Sequence, residues 1–305
     1  MAHNKHVIDG NNKDVPMGMS YEEAKQYYLS LCEGWTPYNP KPMVIEHEGV
    51  QVVRDDLTVG TKTRAGDLLC AKIQNKTLVY CQPRVGLAGV SLCDVAKRHN
   101  KDVVLFMPSS KEISLHQACC IERGATPIFE RIAAMPNLNL YAKKWADEHN
   151  ACFIPLGLKH ELATAAIIHA ASEIPEPEEV YVAISTGVLS RALQIAWPNA
   201  KFTCVAVARN LQAGELGRAE VISHPSPFQT PVKKEDMPPF PTVATYDAKV
   251  WAFINKDGKK RRLMWNVGRD CILQDASIIT RTDSYRMWRK DMKPSSEKEV
   301  GVIHI

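Results

Sequence analysis

The chain has 305 residues, a net charge of +4, 45% hydrophobic and 24% charged residues, a balance that excludes a disordered chain and gives room for a sizeable core divided between two lobes. The weak positive charge permits a nucleic-acid partner without indicating one, and no apolar run approaches the length of a membrane span. Nine cysteines, an odd number with no C-x-x-C pair, read as buried reduced thiols of a cytosolic protein rather than as a disulfide frame or zinc site.

The polar start "MAHNKHVIDGNNKD" has no signal-peptide core. Further on, "RDDLTVGTKTRAGDLL" (54–69) sets Lys62 between two threonines just after Gly60. The glycine permits a tight turn, Thr61 or Thr63 can cap a helix predicted over residues 64–73, and Lys62 then sits at that helix's positive end. Such a setting lowers a lysine's pKa and suits a Schiff-base lysine, although a structural or solvated lysine fits this stretch as well.

From residue 76 short β-type runs alternate with helical periods. Strands are predicted at 76–82, 102–108 and 126–130, with helices at 89–100 and 112–124 between them. The rhythm continues with a helix at 138–150, a strand at 152–155, a helix at 161–174, a strand at 179–185, a helix at 188–198 and a strand at 201–208. This is an α/β fold with two lobes, mostly parallel sheets, helices on both faces and right-handed crossovers. After residue 210 a proline-rich irregular connection follows, in which Phe228, Phe240, Tyr246 and Trp251 call for burial. The basic "KKRR" at 259–262 beside "NKDGKK" reads as a solvated hairpin tip, and the last dozen residues as a peripheral tail.

In open α/β sheets ligands bind off the carboxyl ends of strands, where turns expose helix N-termini. Three turns qualify. "YVAISTGVLSRAL" joins a strand to a helix through Ser185, Thr186 and Gly187, a small cup of hydroxyls and amides with the polarity for a phosphate. It is too short for a P-loop and lacks G-x-G-x-x-G; a simple capped turn is the plainer alternative. "CQPRVGLAGVSL" places Gln82 and Arg84 at a strand end, where the arginine can fork onto an anion or bridge to a neighbouring loop. "CFIPLGLKHELATAA" carries Gly157 into an alanine-rich helix. The histidines, among them His47, His99, His116, His160 and His224, lack ligand spacing, and no metal is assigned to them.

Taken together, "GTKTR", the α/β middle region, "FIPLGLKHELATAAIIHAASEI", the Ser-Thr-Gly turn and "TYDAKVWAFI" resemble, in kind and order, the pyridoxal-phosphate enzymes of the tryptophan-synthase β-subunit fold (fold type II). Within that group "VGTKTRAGDL" is similar to the "GGNKTRKLEY"-like stretch of aminocyclopropane-carboxylate deaminase and cysteine desulfhydrase. The resemblance spans roughly residues 50–275 and implies pyridoxal 5'-phosphate as cofactor, with residues 1–75 and 159–305 forming the larger cofactor-binding lobe, residues 76–158 the smaller, and a homodimer. It implies that Lys62 is the Schiff-base lysine and that Ser185, Thr186, Gly187, Val188 and Leu189 hold the phosphate. Tyr246 and Asp247, in "YDAK" where the family has "YxGK", would be a proton donor or acceptor and the partner of the pyridine nitrogen. Asn266 and Gly268, in "MWNVGRD", would border the ring.

The departures bear on the reaction. Where the family carries S-x-G-N-H-G or Q-S-N-H, this chain has Gln82-Pro83-Arg84-Val85, so Gln82 and Arg84 become the implied substrate contacts and the deaminase's serine is lost at Pro83. Ring-opening deamination is disfavoured; decarboxylation at an α-amino acid group, or an elimination, is expected instead. "PPFPTVATYDAKVW" is similar to divergent bacteriophage members linked to thymine hypermodification, which implies as substrate an amino acid joined to a modified thymine in phage DNA, in the host cytoplasm. A β-eliminating lyase or deaminase of a small free amino acid, and a non-catalytic scaffold of the same fold, stay open.

Overall fold

The computed structural model describes residues 11–131, 134–208, 211–256 and 260–281. The first ten residues, Lys259 and the C-terminal tail expected from 293 lie outside them. Ten strands are described: β1 Val44–His47, β2 Val50–Arg54, β3 Thr77–Cys81, β4 Asp102–Pro108, β5 Thr126–Glu130, β6 Cys152–Ile154, β7 Glu179–Ile184, β8 Lys201–Ala206, β9 Glu220–Ser223 and β10 Arg262–Asn266. The helices are α1 Tyr21–Ser30, α2 Thr61–Lys72, α3 Ala88–Arg98, α4 Leu115–Glu122, α5 Met135–Glu148, α6 Glu161–Ser172, α7 Val188–Ala196, α8 Ala248–Trp251 and α9 Ser277–Arg281.

The described residues fall into two compact units, one within residues 11–72 and 157–270, the other within residues 73–156 and 271–281. The expected division put the whole C-terminal part with the larger lobe. Residues 271–281 instead pack on the small unit, where the amides of Gln274 and Asp275 donate to Glu122 Oε1 at 3.0 and 2.8 Å.

The larger unit holds a six-stranded sheet in the order β1-β2-β10-β7-β8-β9, parallel except for the β1–β2 hairpin. That hairpin closes through Glu48 and Gly49, both at positive φ (50° and 76°), the primed turn that suits strand twist. One sheet face is covered by a cluster of Val50, Val52, Tyr181, Val205, Met264, Phe240 and Trp251. The prolines of the 210–247 connection therefore end at an aromatic plug that is inside, as Phe240 and Trp251 demand. Helix α6, almost entirely Ala and Ile on its buried positions, packs against α2, α7 and α1; its small residues let the helices approach closely. The small unit is a parallel sheet, β5-β4-β3-β6, with α5 on one face through Leu138, Ala142 and Ala146.

Two local expectations are corrected. Helix α2 starts at Thr61, not Arg64, so Lys62 lies inside its first turn. The basic run is not the tip of a hairpin, because "AKVW" before it is helical and β10 after it lies parallel between β2 and β7. Lys260 and Arg262 both pair with Glu179, at 2.9 and 3.1 Å.

Candidate active site

The start of α2 is fixed by a buried carboxylate. Asp55, fully buried, accepts from Thr61 Oγ1 at 2.7 Å, from Trp265 Nε1 at 3.0 Å and from Arg64 Nε at 2.8 Å. The Thr61 amide donates to Val267 O at 2.7 Å. Gly60, at φ +127°, passes so near that a Cβ there would lie 2.6 Å from the same carbonyl. Thr61 and Thr63 are thus anchors rather than caps: both lie within the first turn, and the Thr63 hydroxyl donates to Gly60 O at 2.6 Å.

This frame aims Lys62 at a glycine. Its Nζ donates to Gly157 O at 2.7 Å, and burial together with the nearby Arg191 charge lowers its pKa to about 8. Gly157 (φ +80°) abuts the Ser-Thr-Gly turn, since a Cβ on it would come within 2.5 Å of Thr186 Oγ1. The structure therefore brings Lys62 and the turn together through one glycine.

The turn itself opens α7, with Gly187 at φ +73° and Val188 and Leu189 buried behind it. Ser185 and Thr186 remain half-buried. The first amides of α7 have no carbonyl of their own helix to meet and carry its positive end, a setting for an anion. Beneath the turn lies Arg191, donating through Nη1 to Thr186 O at 3.0 Å and through Nε to Asp14 Oδ2 at 2.8 Å. Lys159 and Lys13 converge on the buried Glu215, at 2.8 and 3.5 Å.

Asp247 is wholly buried. Its Oδ2 accepts from the Val267 amide at 3.1 Å, while Oδ1 has no partner. Burial, with the neighbouring carboxylates of Asp55, Asp56 and Asp270 adding to it, holds its pKa well above the carboxylate range. Since Val267 also receives the Thr61 amide, Asp247 and the Lys62 turn share one residue between them. Tyr246 packs edge-on to Phe228, its hydroxyl 3.5 Å from Ala183 O; burial and the Asp247 charge push its pKa up. Asn266 Nδ2 donates to Asp56 Oδ1 and Pro241 O, both at 2.9 Å, and its buried Oδ1 is unpartnered.

Gln82 and Arg84 belong to the small unit. Gln82 is fully buried in its own loop, its side-chain amide donating to Pro83 O and Gly86 O and accepting from the Gly89 amide, so its contacts are those of a loop staple. Arg84 is exposed and joins Ser110 Oγ and Glu112 O. Among the described residues no three of His, Cys, Asp and Glu gather as for a metal, no disulfide joins the cysteines, and no helix is long and apolar enough to cross a membrane.

Sequence reasoning missed Arg191, Asp14 and Glu215. The signal for Arg191 was there: a lone charge inside the otherwise apolar "VLSRALQIA" must be buried and needs partners. Its partners, more than 170 residues away in the case of Asp14, carry no such mark.

Against known structures the chain has the fold of fold type II pyridoxal-phosphate enzymes. An ACC deaminase homologue superposes with a TM-score of 0.65 at 15% identity, over 79% of this chain and 94% of its own. A T.th. threonine deaminase gives 0.62 at 12% identity, over 82% and 98%, and a pyridoxal 5'-phosphate-dependent aspartate racemase 0.58 at 14%, over 85% and 97%. No protein-family model and no curated protein sequence matches the chain.

Proposed function

We propose that this protein is a pyridoxal 5'-phosphate-dependent enzyme of the lyase type, acting at the α-carbon of an amino acid group. The observation that carries the reading is Lys62: a lysine whose pKa is lowered to about 8 and which is tethered through Gly157 to a phosphate-type turn. Two further features fit the cofactor. The cradle at Gly157 and Gly187 has no room for a Cβ, and Asp247 Oδ1 is a buried oxygen without a partner among the described residues, where a pyridinium N–H would pair with the ionised carboxylate. Similarity in fold to a racemase described as pyridoxal 5'-phosphate-dependent agrees with this.

Lys62 would carry the cofactor, Ser185, Thr186, Gly187, Val188 and Leu189 would hold its phosphate, Asp247 its ring nitrogen, and Asn266 would stand beside the ring. When bound, the cofactor supplies an electron sink for a carbanion at the substrate's α-carbon. Lys62, with its midpoint near 8, can hold or release a proton there under mild conditions. Tyr246 keeps its proton, because burial and Asp247 both oppose ionisation, and serves as a donor rather than a base. Phe228 and Tyr246 together give that side of the site an aromatic wall.

The finer reading is decarboxylation of an amino acid linked to a modified thymine in bacteriophage DNA by a homodimer in the host cytoplasm. Its support is the loss at Pro83 of the serine that the deaminases carry. Elimination from a small free amino acid is the second reading, favoured by the likeness to a threonine deaminase. The test is an absorbance spectrum between about 300 and 500 nm of the protein after incubation with pyridoxal phosphate and removal of unbound cofactor, beside Lys62→Ala. A band present in the wild type and absent in the variant is expected; no band in either would sink the reading. Assays for carbon dioxide and ammonia, on amino-acid-modified oligonucleotides and on free D-cysteine and L-serine, then separate the two substrates.

A further inference from the structure

We infer that Arg191 is a positioning residue of this site, holding the Ser185–Gly187 turn against the Lys62 tether and setting the charge around that lysine; the inference rests on the reading above. Arg191 is 1% exposed, the lone charge of a helix whose every residue is buried. A guanidinium in such a place needs partners, and it has them: Nε meets Asp14, and Nη1 meets both Thr186 O and Glu215 O, at 3.0 and 3.2 Å. Those two carbonyls flank Gly187, where a Cβ would lie 2.4 Å from Nη1 and 2.3 Å from Glu215 O. The guanidinium thus occupies the room a side chain at 187 would need and pins the turn from beneath.

Thr186, whose carbonyl it holds, presses its side chain on Gly157, and Gly157 O holds Lys62. Movement of Arg191 is therefore transmitted to the tether in two contacts. The charges about it are Asp14, paired with Arg191, and Glu215, paired with Lys13 and Lys159; Tyr28 donates its hydroxyl to Asp14 O at 2.6 Å. Lys62 has no carboxylate partner of its own among its described contacts; burial is the larger cause of its lowered pKa and the Arg191 charge, which Asp14 pairs, adds to it. A plain anchoring role for Arg191 would hold the N-terminal segment, whose Asn12 donates to Arg191 O at 3.0 Å, and leave Lys62 unaffected.

The test uses the cofactor-free full chain and reads the lysine directly. Trace acetic anhydride labels Lys62 at a rate that follows its neutral fraction, measured by mass spectrometry across pH. The wild type is expected to show a midpoint near 8. Arg191→Met should move it up by at least half a unit, with Arg191→Lys keeping it low, and Asp14→Asn, which leaves the cation unbalanced, should move it further down. The two opposite displacements keep the test alive if Arg191→Met does not fold. Inorganic phosphate, titrated by calorimetry, should bind at least threefold more weakly to Arg191→Lys, which keeps charge but loses the fork. An unchanged Lys62 midpoint in both folded Arg191→Met and Asp14→Asn would overturn the inference. Failure of wild-type protein to take up pyridoxal phosphate, with the midpoint moving as described, would sink the proposed function and leave this role of Arg191 standing.

Discussion

Lys62 and Gly157, 95 residues apart in sequence, meet in a 2.7 Å hydrogen bond from the amine to the glycine carbonyl. A glycine is required at that end because φ is +80° and Thr186 Oγ1 stands where its Cβ would be. The bond places an amine of lowered pKa beside a turn built for an anion, and the first predictions concern its two ends.

Removing the amine should stabilise the cofactor-free protein at neutral pH. Lys62 has a folded pKa near 8 against an ordinary value of 10.5, so below 8 it is charged in both states and the fold bears the full cost of burying it. Between about 8 and 10.5 the unfolded chain binds a proton that the folded one does not, and stability rises with pH through that window. Lys62→Met should therefore gain up to about 2 kcal/mol at pH 7, after loss of the Gly157 bond is allowed for, and lose the advantage by about pH 10.5. Urea unfolding at several pH values reads this; a variant less stable at pH 7 would contradict it.

Gly187→Ala should cost more than Gly157→Ala. Both force an alanine into the left-handed region, worth about 1–2 kcal/mol. At 157 the obstacle is a side-chain oxygen, whereas at 187 it includes the backbone carbonyl of Glu215, which moves only with its loop. Midpoints of chemical unfolding should fall in the order wild type, Gly157→Ala, Gly187→Ala, and both variants should lose the absorbance of bound cofactor.

Asp247 trades stability for function. Its raised pKa means that the folded protein binds a proton more readily than the unfolded chain, so from the ordinary carboxylate range upward stability falls as pH rises toward the folded value. Asp247→Asn should flatten that dependence and make the cofactor-free protein more stable at neutral pH, while abolishing uptake of the cofactor. Thermal unfolding with and without pyridoxal phosphate should show the two effects with opposite sign.

Arg64→Met breaks the carboxylate hub at the start of α2, leaving Asp55 with the Thr61 hydroxyl and the Trp265 indole alone. Removing one partner of a buried ion pair costs about 3–5 kcal/mol. The double variant Arg64→Met with Asp55→Asn should recover part of this loss, and denaturant midpoints across the cycle measure how much.

Much of the α/β order was legible because a buried strand or helix announces itself locally. "DVVLFMP" and "TPIFE" begin and end as strands where their apolar runs do, and "ELATAAIIHAAS" is helical over the stretch its alanines mark. Lys62 was legible too, from its glycine and threonines, although the start of α2 was misread because the fixing bonds come from Asp55, Trp265 and Val267 rather than from a cap. The place of β10 between β2 and β7 was not legible, since register between distant strands leaves no periodic trace. Arg191 escaped for a related reason: a buried charge is visible in sequence, but what satisfies it is not.

The central position of β10 also governs the order in which the protein can be made. A chain leaving the ribosome presents β2 early and β7 much later, yet these strands cannot be joined in one sheet until residues 262–266 arrive to lie between them. The four strands of the small unit, by contrast, are all complete by residue 154 and can pair while the rest is still being translated. Nascent protein therefore carries a half-built large sheet with an open slot, and a message truncated before Arg262 would yield a product with all four strands of the small sheet but without the strand that joins the two parts of the larger one.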